Sequence, residues 1–143
     1  MRAVHVVRLV MNVVNLSTPL GLTVAAAGRA RLQWGPDGLV LATGFRIRTH
    51  APAFTVGNVI VLRLDDDALA RRPRLLAHEA RHATQYAFCL GVPMLPLYAV
   101  AAGWSWARAR DFSSYNPFER LAGLEDGGYP PVRRRRRRAA TVA

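Results

Sequence analysis

The sequence predicts a single α+β domain, with a short antiparallel sheet in its first half and helices in its second. Three observations carry that expectation. Residues 29–48 alternate polar and apolar side chains around Gly35-Pro36-Asp37-Gly38, as a hairpin does; Val59-Ile60-Val61-Leu62 is apolar on both faces, as a covered strand is; and from Leu75 onward apolar side chains recur at helical spacing.

With 143 residues, 51% of them hydrophobic, the chain suffices for one buried core. Its net charge of +11 is concentrated in six consecutive arginines that begin at Arg133 and end at Arg138, so the body is only moderately basic. Residues 1–131 are read as the domain, with 1–28 an apolar helical segment packed on it and 132–143 a disordered Arg-rich tail. The single Cys89 cannot form an internal disulfide and is expected to be buried and inert, so nothing demands an oxidising compartment. A cytoplasmic protein, with peripheral membrane contact as a variant of that, is the expectation.

From the start, the apolar run between Arg2 and Arg29 is broken by Asn12, Asn15, Ser17, Thr18 and Pro19. That predicts a helix to about Asn15, a turn at Ser17-Thr18-Pro19 and a second apolar segment; a signal peptide cleaved after Ala25-Ala26-Ala27 is the alternative. After the hairpin turn, the second strand is expected to run on through a bulge at Gly44 to Arg48, with His50 in a solvated loop. Residues 54–64 read as a third strand interrupted at Gly57-Asn58, and Asp65-Asp66-Asp67 as caps of a short helix rather than a cation loop. Leu97 to about Arg110 reads as one helix of a buried hairpin, although Trp104, Trp106, Arg108 and Arg110 also suit a membrane surface.

The chemistry lies between these elements. His78-Glu79-Ala80-Arg81-His82 falls within a run expected to be helical, with Pro73 near its start and Gly91 past its end. Four residues apart on a helix, His78 and His82 share one face and can hold one metal ion, with Glu79 set to take a proton from a water on it. A catalytic zinc site needs a third protein ligand and one open position. Glu119 and Asp111 are the candidates; for Glu119 in Asn116-Pro117-Phe118-Glu119 the plain alternative is a capping-box carboxylate. Gln85 and Arg81 fall near the site by helical spacing, Gln85 to orient a ligand and Arg81 to pair with a ligand carboxylate. Tyr98 or Tyr115 is the candidate phenol to stabilise a developing oxyanion.

Five segments, Asn15-Leu-Ser-Thr-Pro-Leu-Gly-Leu22, Gly35-Pro-Asp-Gly38, Thr55-Val-Gly-Asn58, His78-Glu-Ala-Arg-His-Ala-Thr-Gln-Tyr86 and Asn116-Pro-Phe-Glu-Arg120, resemble those of a group of small, uncharacterised bacterial proteins with a zincin-like motif. The resemblance implies a zincin-like fold with a gluzincin-type site, in which His78, His82 and Glu119 bind Zn2+ and Glu79 is the base. By analogy with zinc peptidases, Thr55, Val56, Gly57 and Asn58 form the expected substrate-binding strand.

The functional expectation is therefore a zinc-dependent metallohydrolase of peptidase type, acting on a peptide or protein substrate. A non-catalytic, metal-stabilised interaction module, set against a membrane surface, is the alternative. The arginine run is expected to attract anionic lipid or nucleic acid nonspecifically, and no base readout is expected without interleaved aromatics.

Overall fold

The computed structural model describes residues 1–64 and 66–129. The arginine tail and Asp65 lie outside them. In order, the elements are α1 (Ala3–Val14), α2 (Ser17–Ala27), β1 (Arg31–Trp34), β2 (Val40–Thr43), β3 (Ala53–Val56), β4 (Val59–Leu62), α3 (Asp66–Ala70), α4 (Leu75–Phe88), α5 (Met94–Ala109) and α6 (Pro117–Ala122).

The α+β class holds, but the sheet is mixed rather than wholly antiparallel. Its order is β1-β2-β4-β3, with β2 and β4 parallel and the other two pairs antiparallel. Two local features explain the difference. β2 stops at Thr43, and the chain from Gly44 to Pro52 leaves the sheet instead of extending the strand to Arg48; Phe45 turns in to pack with Ala25 and Val61. Gly57-Asn58 is then a tight turn between two strands rather than an interruption in one, and it inserts β4 beside β2. Glycine is required there, since φ is +61° and an added Cβ would stand 2.4 Å from the Thr18 amide nitrogen.

β4 is covered on both faces, as its unbroken apolar run implied. Ile60 and Leu62 pack with Leu39, Leu41, Leu75 and Ala83 on the side of α4, and Val59 and Val61 with Ala25 and Phe45 on the side of α2. The helical break near the N-terminus falls at Asn15-Leu16, so Ser17-Thr18-Pro19 opens α2 instead of forming the turn. α1 lies along both α2 and α4, held by a buried polar seam: the Asn12 amide donates to Asn58 Oδ1 and to the Ala83 carbonyl, each at 2.8 Å.

α4 sits between β3 and α6. Past its end, Leu90 and Gly91 both take left-handed conformations and the Gly91 amide reaches back to the Tyr86 carbonyl, which turns the chain into α5. Cys89 is a free thiol, half-buried rather than buried. α5 is not the buried hairpin arm expected; most of its large side chains face outward.

Candidate metal centre

Helical periodicity alone brings His78 and His82 together: their Nε2 atoms are 3.1 Å apart and their rings meet edge to face. The third group arrives from α6. Asn116 caps that helix by accepting from the Phe118 amide, and Glu119 does not turn back to complete a capping box. Its carboxylate instead lies 3.3 Å from His78 Nε2 and 3.6 Å from His82 Nε2. The three donor atoms lie within 4.8 Å of one another and all three residues are buried, so the cluster can hold a metal ion.

Both imidazoles are oriented from behind. His78 Nδ1 lies 3.0 Å from the Gly123 carbonyl, which can only accept, so Nδ1 carries the proton and Nε2 offers its lone pair to the centre. His82 Nδ1 lies 2.8 Å from Gln85 Oε1, while the Gln85 amide donates to the Phe118 carbonyl at 2.9 Å, which fixes the amide's direction. With both rings neutral, two lone pairs and a carboxylate therefore converge on one point, and Glu119 Oε2 is buried without a hydrogen-bond partner. Ligands about 2.0–2.1 Å from a tetrahedral zinc stand roughly 3.3–3.4 Å from one another. The observed separations of 3.1, 3.3 and 3.6 Å bracket that value, so the residues fit the ion.

The electrostatics follow from this crowding. Burial pushes Glu119 up, but the imidazoles of His78 and His82, when protonated beside it, and the Tyr98 hydroxyl outweigh that and hold the carboxyl well below the usual range. Burial pushes His78 down, and the Glu119 hydrogen bond with the charges of Glu79 and Glu119 raises it above its ordinary value. Glu79 is raised by burial, against the Thr55 hydroxyl that donates to its carboxylate at 2.6 Å.

Around the cluster runs a cleft of about 410 Å3, walled by β3, α4, the start of α5 and the loop at Thr49 and Ala51. Tyr98 faces it and donates its hydroxyl to Glu119. Thr55 and Val56 line it, whereas Gly57 and Asn58 do not: Asn58 is fully buried in the seam with Asn12, Thr18 and Gly38. Tyr115 is also displaced from the expected role. It lies beneath the Arg108 guanidinium, 5.3 Å from its ring centre, outside the cleft. Arg81 bonds the Ala122 carbonyl and Asp126 rather than a ligand carboxylate, and so pins the chain that follows α6. Asp111 accepts from the Ser113 and Ser114 amides of its own loop, away from the histidines. His50 is exposed.

Sequence reasoning missed Tyr129. Its ring centre is 5.9 Å from that of His78 and it lines the cleft, carried there by Gly127, where an added Cβ would stand 2.7 Å from His78 Cε1. The Gly127-Gly128 pair was the only sequence signal, and it specifies a turn without saying what the turn approaches.

A family model described as the eCIS core domain matches residues 41–88. That span runs from β2 to the end of α4, so it contains His78, Glu79 and His82 but neither Glu119 nor α5. No curated protein and no solved structure matches the chain.

Proposed function

We propose that the protein is a zinc-dependent hydrolase of peptidase type. The observation that carries this reading is the convergence of two Nε2 lone pairs and the Glu119 carboxylate at tetrahedral-edge distances, with the second, higher-pKa carboxyl of Glu79 alongside. When bound, the ion supplies Lewis acidity, which acidifies water and polarises a carbonyl. Glu79 accepts the proton of the attacking water at its carboxylate and returns it to the departing amine nitrogen. Thr55 holds that carboxylate in place, and burial in the cleft raises its affinity for a proton. Tyr129 presents a phenol to the same space, where its hydroxyl can donate to an oxygen gaining charge, while the Tyr98 hydroxyl, which donates to Glu119, orients that carboxylate.

A peptide substrate is supported by the strand beside the cluster. β3 is an edge strand, and its Val56↔Val59 pair closes the two-residue turn, so Val56 and Phe54 bond to β4 while Ala53 and Thr55 turn their backbone groups outward. An extended chain laid along that edge would pass Glu79. Apart from Glu79, Glu119 and the two histidines, the lining is uncharged, which suits an apolar stretch of polypeptide rather than an anionic ester.

A structural metal is the second reading, favoured by how the six-residue α6 is tied to α4 through Glu119 and through the Arg81 bond to Ala122. One experiment separates them: metal analysis with cleavage of apolar peptides by wild type and Glu79→Gln. Hydrolysis by wild type that is lost in a fully metallated Glu79→Gln supports the enzyme; turnover surviving the substitution rejects this mechanism.

A further inference from the structure

α1 and α5 are built inside out. In α1 the polar Arg8 and Asn12 are 6% and 0% exposed, while Val7, Val10 and Val14 on the opposite side are open, Val14 to 72%. In α5 the small Ala101, Ala102 and Ser105 face the protein. Leu97, Val100 and Trp104, spaced three and four residues apart on one stripe, face out, Val100 to 74%. A helix packed on a domain in water normally shows the reverse arrangement, and neither outward stripe has a partner among the described residues. The end of α1 and the turn that leads into α5 meet, because the Asn15 amide bonds the Tyr86 carbonyl and Gly91 packs on Asn15. That corner adds exposed Leu16, Phe88 and Leu90.

We propose that this face docks on an anionic lipid surface, with α1 and α5 lying in the headgroup layer. Charge selects the occupant. α1, α2 and α5 contain no Asp or Glu; Trp104 ends the outward stripe of α5 and Trp106 is exposed on the other flank of the same helix, each under an arginine: Arg108 is 5.2 Å from the Trp104 ring centre and Arg110 is 4.3 Å from that of Trp106. Indoles at the apolar–polar boundary with guanidinium groups at phosphate level are what a negatively charged interface binds. The helices lie along the surface rather than cross it. No single helix among the described residues is long and apolar enough to span, and α1 and α2, which together have the composition of a span, are bent by 73°. This inference is independent of the hydrolase reading.

The test uses the full chain, so that the arginine tail is present in every sample and its own attraction to anions is held constant. In a Trp34→Phe background the remaining tryptophans are both on α5. Flotation with phosphatidylcholine vesicles that contain phosphatidylglycerol, quenching by brominated acyl chains, and oligomeric state without vesicles are measured. Docking predicts quenched emission, and flotation that falls by about tenfold or more in Leu97→Ser/Val100→Ser and in Val7→Ser/Val14→Ser, since each pair removes two inserted apolar side chains. These positions are exposed, so circular dichroism and metal content should match wild type. Flotation unchanged by both pairs, tryptophans that stay unquenched, or a dimer that vesicles do not dissociate would each overturn the proposal.

Discussion

The Thr55 hydroxyl stands 2.6 Å from the Glu79 carboxylate and so ties the edge of the sheet to the acid between the two histidines. The single proton of that hydroxyl favours the charged form of Glu79, in opposition to burial. Removing it should raise the Glu79 carboxyl further. Thr55→Val is therefore expected to move the acid limb of a pH–rate profile upward and to lower the rate at neutral pH, with metal content unchanged. A profile that shifts downward would contradict the linkage.

Glu79→Gln keeps shape and removes the proton acceptor. Hydrolysis should fall by roughly 10²–10⁴-fold. Zinc stoichiometry, measured by elemental analysis, should stay at the wild-type value because Glu79 is outside the ligand cluster.

Gln85 bridges His82 Nδ1 and the Phe118 carbonyl, so it fixes both a ligand's orientation and the approach of α6. Gln85→Ala should weaken metal affinity by about 10–100-fold, as loss of such outer partners does. Competition with a chromogenic chelator reads this directly, and unchanged affinity would leave Gln85 a purely structural link.

Without metal, stability should vary with pH in a defined window. The His78 value is raised from 6.5, so its contribution is complete below that pH and is lost as pH rises through the folded value; Glu79, raised from 4.5, acts in the same direction. The Glu119 value is lowered from 4.5, so its contribution is present above that pH and is lost on acidification through the folded value. Melting of the chelator-treated protein should thus be highest near pH 4.5, fall on acidification as Glu119 is protonated, and fall above pH 4.5 as Glu79 ionises and then above pH 6.5 as His78 loses its proton, so far as these three groups govern it. Zinc must compete with the proton on His78, so zinc-induced stabilisation should grow with pH across the range where the metal-free protein weakens.

Asn12 is fully buried and bonds both Asn58 and the Ala83 carbonyl. Asn12→Ala leaves these partners unsatisfied and should cost about 1–3 kcal/mol in denaturant unfolding. A loss within error would mean that the seam relaxes around the gap.

The sequence by itself determined what depends on neighbours a few residues apart. A helical period sets His78 above His82, a turn at Gly35-Pro36-Asp37-Gly38 joins β1 to β2, and an apolar run such as Val59–Leu62 declares a covered strand. Glu119 could be singled out as a carboxylate on a rigid first turn, but a capping box and a metal ligand look the same at that level. Tertiary structure decided everything that crosses the chain: Glu119 facing the histidines, Thr55 meeting Glu79 across 24 residues, the Gly123 carbonyl fixing the His78 tautomer across 45, and Tyr129 brought in behind Gly127. It also decided that Tyr115, Arg81, Gly57 and Asn58 serve elsewhere and that the large side chains of α1 and α5 point outward. The physical reason is common to all of these. Local periodicity fixes the relative direction of side chains on one element, whereas the direction in which that element faces the rest follows from packing and buried hydrogen bonds that no spacing records.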